Sequence, residues 1–468
     1  MSALQSRRRF LGTIGALAVA TQCPTQAAST SRPNIIFILA DDLGYGDLGC
    51  YGQTKIKTPN IDALAAQGTR FTQCYAGAAV CAPSRSVLMT GQHVGHTRIR
   101  GNSAKVAIPR HDGEANRVPL YAEDFTVAQL LKGAGYATGI AGKWGLGEPG
   151  STGLPNDHGF DEWLGYLNQN HAPDYFTDYL WRNKEKQIIP GNLDGKRQTY
   201  SCDLFADFAI DFIRAHKEGP FFLYLPFTIP HKKTEVPDLA PYANESWSDE
   251  EKTFAAMITR LDGYVGRISQ LLKELNIDDN TIVFFASDNG APETCRDFFA
   301  RSGILRDIKG TLYDGGIRVP MIVRWPGKVA AGKSDAMPWY FADFLPTAGA
   351  IAGAATASNI DGANVLPIIF GNSQPEFASR FLYWETPADG DLRQAARKGP
   401  WKAVRQGLDK PIELYNLDED VWESKNVAAK FPQIVNEFRT YFAEQHIESP
   451  HWPVDPEKLA TLKSASVP

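Results

Sequence analysis

The chain has 468 residues, of which 43% are hydrophobic and 22% are charged, and its formal net charge at pH 7 is −5. A chain of this length can bury a sizeable core, and the length favours two domains, one of them large. The composition excludes an intrinsically disordered protein, and the acidic balance argues against nucleic acid as a partner.

Residues 1–28 have the layout of an export signal. Three arginines at positions 7–9 precede an apolar stretch over residues 11–20, and small residues follow up to Ala28. This order is typical of a bacterial signal peptide of the twin-arginine type. We therefore expect export to the periplasm or the extracellular space. We expect no transmembrane segment, because every apolar run is too short to span a bilayer.

An exported chain can form disulfides. Besides Cys81, four cysteines follow the predicted signal peptide: Cys50, Cys74, Cys202 and Cys295. Four cysteines allow three sets of two pairs, and the sequence does not choose between them.

The first predicted strand covers residues 33–40, a nearly continuous apolar run that ends in Asp41 and Asp42. Continuous apolar runs are typical of parallel strands that are buried on both faces. Ligand sites of open α/β sheets lie at the carboxyl ends of such strands, so both aspartates are candidate site residues. Next we predict a helix capped by Asn60 and a strand over residues 70–75.

The stretch that begins at Cys81 predicts a turn leading into a helix that ends at Gly91. Pro83 and Ser84 favour a first helical turn, so Cys81 should lie at or just before a helix N-terminus. Unpaired N–H groups and the helix dipole favour an anion there, and Arg85 adds a fixed positive charge. A lone cysteine is more often a small buried hydrophobe, so its position alone does not assign chemistry.

Strands and helices alternate through the middle of the chain. We predict helices over residues 126–132 and 203–216, and strands over residues 136–141 and 221–227. The first of these strands leads directly to Lys143, and the second leads into a loop that carries His231. Both side chains should therefore reach the sheet edge at which Asp41 and Asp42 lie.

A second pair of oxygen-bearing side chains follows a second apolar strand. Ser248 and Glu251 form a capping box that predicts the start of a long helix. Residues 281–287 then repeat the apolar pattern of the first strand and end in Asp288 and Asn289. Hard oxygen donors at one sheet edge suit Ca²⁺ or Mg²⁺, and the absence of clustered Cys and His residues argues against zinc.

The remaining sequence predicts the end of the large domain and a smaller one. A glycine-rich loop that begins with Lys309 leads into a strand over residues 319–323, and a helix near residues 342–351 follows. From about residue 371 the pattern changes to short strand-like runs over residues 380–384, 401–404 and 412–415, and a helix near residues 432–445 follows. We therefore predict an α/β fold. A large domain (29–370) contains a mostly parallel sheet sandwiched by helices, and a smaller C-terminal α+β domain (371–468) contains an antiparallel sheet.

The motif of Cys81, Pro83, Ser84 and Arg85, followed by Thr90-Gly91, resembles the signature of the type I sulfatases. These arylsulfatase-like enzymes belong to the alkaline phosphatase superfamily. The resemblance implies that a formylglycine-generating maturation enzyme oxidises Cys81 to formylglycine. Its hydrated aldehyde would offer one hydroxyl to attack sulfur and a second whose deprotonation expels sulfate.

The resemblance also implies a metal site and a cationic pocket. It implies Ca²⁺ in preference to Mg²⁺, bound by Asp41, Asp42, Asp288, Asn289 and the group formed from Cys81. Lys143, His231 and Lys309 fall on family motifs and would join Arg85 in binding the sulfate ester. His231 or Lys309 would protonate the leaving alcohol.

One position departs from the family pattern. The family usually reads G-K-W-H-L-G where this chain has Gly145, so the histidine credited with helping to expel sulfate is absent. The loop over residues 168–171 follows closely in the sequence. We predict that His171 replaces the missing base; alternatively, Gln169 and His171 contact substrate hydroxyls.

The leading hypothesis is an exported sulfatase that hydrolyses the sulfate ester of a sulfated sugar or polysaccharide. One alternative is a phosphoester or phosphonate hydrolase of the same superfamily. The lack of a second set of His and Asp ligands disfavours a two-metal phosphatase. Another alternative is a protein that binds sulfated glycans without turnover. The sequence leaves the substrate linkage and the oligomeric state open.

Overall fold

The computed structural model describes residues 32–108, 115–372 and 374–464. The predicted export signal lies outside these residues. The strands are β1 (Asn34–Ala40), β2 (Thr69–Tyr75), β3 (Ala137–Lys143), β4 (Glu162–Tyr166), β5 (Tyr179–Arg182), β6 (Glu185–Ile188), β7 (Phe221–Pro226), β8 (Thr281–Ser287), β9 (Arg318–Arg324), β10 (Lys333–Asp335), β11 (Trp339–Tyr340), β12 (Phe381–Ala388), β13 (Asp391–Lys398), β14 (Trp401–Arg405) and β15 (Glu413–Asn416). The helices are α1 (Pro59–Ala66), α2 (Cys81–Thr90), α3 (Val127–Gly133), α4 (Ser201–His216), α5 (Asp249–Glu274), α6 (Arg296–Phe299), α7 (Asp314–Ile317), α8 (Phe344–Ala352), α9 (Leu366–Ile369), α10 (Pro375–Ser379), α11 (Pro432–Gln445) and α12 (Pro456–Ser464).

The large sheet has the strand order β10-β2-β9-β8-β1-β7-β3-β4-β5-β6, and β11 also pairs with β2. Its five central strands, from β8 to β4, are parallel to one another. The apolar runs predicted as the first strand and as the strand over residues 281–287 are neighbours in this sheet, with Ala40 opposite Ser287. The carboxyl ends of these two strands therefore lie side by side, and the predicted mostly parallel sheet is confirmed.

Helices cover both faces of the large sheet. Ile35, Phe37 and Leu39 of β1 belong to a buried cluster that includes apolar residues of α2, α3 and α8. Ile36 and Ile38, which point to the opposite face, belong to a second cluster with residues of α1, α4 and α5. Because successive side chains of a strand alternate between faces, a strand buried on both sides needs a continuous apolar run.

A four-stranded antiparallel sheet, β12-β13-β14-β15, forms the C-terminal part of the fold. Tyr383 on one face packs with Phe438 and Phe442 of α11. Trp384 on the other face joins the core of the large sheet, where its Nε1 donates to the carbonyl of Ala76 at 2.8 Å. The predicted smaller antiparallel sheet is thus present, and the domain boundary at residue 371 stays a prediction.

Most of the capping residues predicted from the sequence begin or end a helix in the structure. The capping box of Ser248 and Glu251 is present, with both of its hydrogen bonds formed. Gly91 ends α2 in a left-handed conformation. The predicted cap at Asn60 is wrong, because Thr58 holds the N-cap position and Asn60 instead donates to Asp262 at 2.7 Å.

The cysteines of the described residues are all free. Cys50, Cys74, Cys202 and Cys295 therefore form no disulfide in this structure, although the sequence left three pairings open. No helix in the described ranges combines the length and apolar character that a membrane span requires.

Candidate active site

The two strands that end in paired oxygen donors bring all four side chains to one point. The amide of Asp288 donates to the carbonyl of Ala40 at 3.1 Å, which continues the ladder between β1 and β8. The amide of Asp42 donates to Oδ1 of Asp288, also at 3.1 Å. Asp41, Asp42, Asp288 and Asn289 are all buried, with at most 1% of their surface exposed.

Asp42 has a backbone conformation that is unusual for a residue with a side chain. Its φ of +68° lies in the left-handed region. Arg301 donates from Nη2 to the Asp42 carbonyl at 2.7 Å and forms a buried ion pair with Asp47 at 3.0 Å. Left-handed residues cost free energy and persist where the surroundings hold them, so Arg301 is part of what positions Asp42.

Cys81 is the first residue of α2, as predicted, and its side chain is fully buried. Its Sγ lies 3.4 Å from Oδ1 of Asp41 and 3.3 Å from Nζ of Lys309. Burial, together with Asp288 and Asp41, raises the pKa of the Cys81 thiol well above its ordinary value, although Lys143 and Lys309 act in the opposite direction. An unmodified thiol at this position is therefore protonated at neutral pH and is a poor nucleophile.

Three cations face the three carboxylates. Lys143 Nζ lies 2.7 Å from Asp41, Arg85 Nη2 lies 2.8 Å from Asp288, and Lys309 Nζ lies 2.6 Å from Asp42. Burial alone raises the pKa of Asp42, but Lys309 and His231 outweigh it, and the pKa lies below its usual range. These six charges balance one another within the site.

His231 lies at the edge of this cluster. Its Nε2 is 3.5 Å from Oδ2 of Asp42, and its Nδ1 is buried without a hydrogen-bond partner among the described residues. Burial lowers the pKa of His231, although Asp41 and Asp42 act against it. Among the described residues no group bonds to Nδ1, so this atom is available to a ligand.

The acidic residues fit a hard divalent cation. Ligand atoms of Asp41, Asp42, Cys81 and His231 all lie within 4.8 Å of one another. Asn289 donates from Nδ2 to Asp42 at 2.7 Å, and its Oδ1 is buried without a hydrogen-bond partner in the described part of the chain. A buried acceptor without a donor, beside three carboxylates, is the donor set that Ca²⁺ or Mg²⁺ binds.

A second cluster, of two histidines and one aspartate, stabilises the fold through hydrogen bonds. His93, His96 and Asp361 also lie within 4.8 Å of one another. The amide of Gly95 donates to Nδ1 of His93, so Nε2 carries the proton and donates to Gln445 at 3.0 Å. His96 bonds to Asp361 at 2.9 Å. These hydrogen bonds fasten the segment after α2, and the protonated His93 Nε2 is not a metal ligand.

A cavity of about 540 Å³ opens above the cluster. Apart from Pro292, the residues found to line it carry polar or charged side chains, and none of them is Phe, Tyr or Trp. The lining residues are Asp42, Asn102, Ser103, Arg117, Gln169, Asn170, His231, Lys232, Pro292, Glu293, Thr294 and Lys309. A polar cavity of this size suits a hydrophilic, partly anionic ligand.

The loop over residues 168–171 contributes to this cavity only in part. Gln169 and Asn170 line it. The ring of His171 instead packs edge-on against Tyr166 and also contacts Tyr179, and its Nε2 lies 2.7 Å from Thr177 Oγ1. The structure therefore brings Gln169 to the cavity wall and does not place the His171 ring among the lining residues.

The sequence does not indicate the roles of several residues at the site, because their partners are distant in the chain. Asn102 accepts a hydrogen bond from the amide of Ala82 at 2.9 Å and so holds the turn beside Cys81. Arg301 supports Asp42 from more than two hundred residues away. Arg117, Lys232 and Glu293 place charges around the cavity. No local pattern signals these roles, because each depends on tertiary neighbours.

Comparison with known proteins gives consistent matches over nearly the whole chain. The Sulfatase family model matches residues 33–354, and the model described as N-sulphoglucosamine sulphohydrolase, C-terminal, matches residues 307–447. Human arylsulfatase A is 34% identical over 460 residues, covering 86% of this chain and 85% of that protein. The dog N-acetylgalactosamine-6-sulfatase is 30% identical over 462 residues, covering 94% and 83%. Among solved structures, Ps i-CgsB in complex with k-i-k-neocarrahexaose has a TM-score of 0.78 and 29% identity, covering 94% and 98%.

Proposed function

This chain belongs to the sulfatase family and is a sulfuric ester hydrolase, and we propose that it is an exported, formylglycine-dependent enzyme that removes sulfate from sulfated glycans. The nucleophile is formed from Cys81, a divalent cation is held beside it, and the substrate is a sulfated sugar or polysaccharide.

The observation that carries the proposal is the burial of Cys81 among three carboxylates and three cations. A thiol whose pKa is raised by burial and by Asp288 and Asp41 is unsuited to attack. The surroundings are suited to an oxygen nucleophile beside a metal ion. Formylglycine, once a maturation enzyme has formed it and water has added to its aldehyde, would supply a hydroxyl suited to attack sulfur.

The proposed metal ligands are Asp41, Asp42, Asp288, Asn289 and the group formed from Cys81, with Ca²⁺ preferred over Mg²⁺. The Oδ1 of Asn289, which has no hydrogen-bond partner among the described residues, supports this assignment. A bound divalent cation supplies charge stabilisation and orients oxygen atoms. Because the protein charges of the cluster balance, such an ion makes the site net positive, which favours an anionic ester.

The basic side chains of the site have different roles in positioning the carboxylates, binding the sulfate ester and transferring a proton. We assign Lys143 and Arg85 to holding the carboxylates in place, because each is buried and paired with one of them. Lys309 lies at the cavity wall within 3.3 Å of Cys81 Sγ, so it compensates charge on the sulfuryl group. His231 or Lys309 protonates the leaving alcohol, because both line the cavity.

The glycan assignment draws on the cavity and on the relatives. Most residues that line the cavity have polar or charged side chains, among them Arg117, Lys232 and Glu293, which suits a hydroxyl-rich anionic substrate. One structural neighbour is described in complex with k-i-k-neocarrahexaose, and one relative is named as an N-acetylgalactosamine-6-sulfatase. Export is proposed from the arginine-rich first segment of the sequence.

Sulfate release from a panel of sulfated mono- and oligosaccharides, with a sulfated aryl ester for comparison, tests the proposal. The protein must come from a host that contains the maturation enzyme, and Cys81→Ala serves as the inactive control. We expect release from at least one saccharide at a higher kcat/KM than from the aryl ester. Faster release of phosphate or phosphonate from matched esters, or a saccharide panel without turnover, would contradict the proposal.

A further inference from the structure

The hydrogen-bond ladder between β3 and β4 continues past the ends of both strands. The amide of Trp144 donates to the carbonyl of Tyr166, and the amide of Gly145 donates to the carbonyl of Leu167, each at 2.9 Å. Gly145 therefore lies beside the segment that leads, two residues later, to Gln169. The closeness of these two positions follows from the register of a parallel pair.

Gly145 leaves space that the side chain of Gln169 occupies. A Cβ atom at position 145 would lie 2.3 Å from Nε2 of Gln169 and 3.4 Å from its Cδ, and 4.0 Å from Cδ of Arg85. Non-bonded heavy atoms do not approach to 2.3 Å, so any residue larger than glycine would displace the amide. The φ of Gly145 is +77°, a second reason why glycine suits this position.

The side-chain amide of Gln169 is buried, and its nitrogen makes no hydrogen bond within the described residues. The residue is 8% exposed, and its Nε2 is buried with no hydrogen-bond partner in the described residues. A buried amide donor without an acceptor costs free energy, and such groups call for an explanation. Gln169 lines the same cavity as Asp42, His231 and Lys309, so a ligand bound there can supply the missing acceptor.

We propose that the Nε2 amide of Gln169 donates a hydrogen bond to an oxygen of the bound sulfate group, and that Gly145 is required because it leaves room for this amide. The proposal rests on the proposed function, since it names a further binding group at the same site. The sulfuryl oxygens are the preferred acceptors because Gln169 lines the same cavity as Lys309, which lies next to Cys81. Donors to charged oxygens form the stronger hydrogen bonds.

This role has a chemical signature. A side-chain amide donates and accepts hydrogen bonds but does not take up a proton near neutral pH. Its contribution should therefore be the same at every pH at which the enzyme works. A titrating base at this wall would instead alter the pH profile of kcat.

The test is a set of variants assayed for sulfate release from the best substrate. Loss of a hydrogen bond to a charged oxygen predicts that Gln169→Ala lowers kcat/KM by about 10- to 100-fold, equally from about pH 6 to pH 9. Gly145→Ala should cause the same fall although Gln169 is retained, because the new Cβ displaces the amide. The double variant should be no worse than either single variant.

Gly327→Ala controls for backbone strain. Gly327 has a φ of +71°, close to that of Gly145, and a Cβ there would meet nothing within 4 Å. This variant should keep full activity while losing some thermal stability. Gln169→Glu controls for volume, and its carboxylate should repel sulfate and lower activity further than Gln169→Ala does.

Calorimetric binding of inorganic sulfate gives a readout that does not depend on turnover. Gln169→Ala and Gly145→Ala should both weaken sulfate binding, whereas Gly327→Ala should not. The proposal is overturned if Gln169→Ala leaves both kcat/KM and the sulfate Kd unchanged, or if the two single effects add. An inactive wild-type enzyme would count against the proposed function alone, because the sulfate Kd still tests the role of Gln169.

Discussion

Arg301 offers a demanding test of how Asp42 is held, because the residue is fully buried and remote in sequence. Its guanidinium donates to the carbonyls of Asp42 and Thr294 and pairs with Asp47. Arg301→Met removes these donors and leaves the buried Asp47 carboxylate without its partner. Breaking a buried ion pair in this way costs about 3–5 kcal/mol. Burial already raises the pKa of Asp47, so this carboxyl can take up a proton, and we expect the lower end of that range.

The assay is urea unfolding followed by circular dichroism, applied to a double-mutant cycle. Arg301→Met and Asp47→Asn should each destabilise the protein, and the double variant should lose less than the sum by about 1–3 kcal/mol. The activity of Arg301→Met should fall by about 10- to 100-fold, because Asp42 loses the donor that fixes its backbone. The role of Arg301 would be wrong if the two losses of unfolding free energy add to within about 0.5 kcal/mol, or if Arg301→Met keeps full activity.

The ion pair between Arg324 and Asp278 is a matched control. Both of its bonds are 2.7 Å long, Arg324 is 4% exposed, and neither residue lines the cavity above Cys81. Arg324→Met should therefore destabilise the protein while leaving kcat/KM unchanged. Equal losses of activity in Arg301→Met and Arg324→Met would mean that reduced stability, and not the position of Asp42, explains the effect.

Three further predictions concern the cavity and its surroundings. Removal of divalent cations with a chelator should abolish sulfate release and lower the Tm. Added Ca²⁺ at about 100 times its Kd should restore about 2.7 kcal/mol of the free energy of unfolding. Asp42→Asn should show no Ca²⁺-dependent shift of the Tm in calorimetry. Lys309→Met should lower kcat by about 100- to 1,000-fold while retaining the metal, as measured by elemental analysis, and an empty metal site would contradict its assignment to the sulfuryl group. Burial lowers the pKa of His171 to about 4, so the folded state resists a proton that the unfolded chain accepts near pH 6.5. Stability should therefore be lost as pH falls from about 6.5 to 4. His171→Gln should reduce this loss by up to about 3 kcal/mol. An acid unfolding profile that is the same in His171→Gln and in the wild type would contradict this prediction. His171→Gln should show no burst of alcohol release, because its ring does not line the cavity, and a burst followed by slow turnover would identify it as the base.

Much of the fold could be predicted because its signals are local. The apolar runs that form β1 and β8 are suited only to the inside of a sheet. Sites lie at the carboxyl ends of parallel strands, and this rule predicts Asp41 and Asp288 at the same edge of the sheet. That they lie side by side depends on the pairing of β1 with β8. The start of α2 at Cys81 followed from Pro83 in its first turn.

The remaining features depend on tertiary partners. Strand β13 was missed because its sequence is polar, yet Gln394 and Arg397 are buried in it through hydrogen bonds to Tyr383 and Tyr75. The predicted cap at Asn60 failed because Asp262, about two hundred residues later, binds that side chain. The contact of Gln169 with Gly145 depends on the pairing of β3 and β4, which no local pattern specifies.

In the proposed enzyme Cys81 acts as formylglycine and not as a thiol. Peptide mass spectrometry of the segment that contains Cys81, carried out on the same sample whose specific activity is measured, tests it directly. We expect formylglycine or its hydrate at this position, in a fraction that rises in proportion to activity across preparations with different levels of the maturation enzyme. A fully active preparation in which Cys81 is found only as the thiol would show that formylglycine is not the nucleophile.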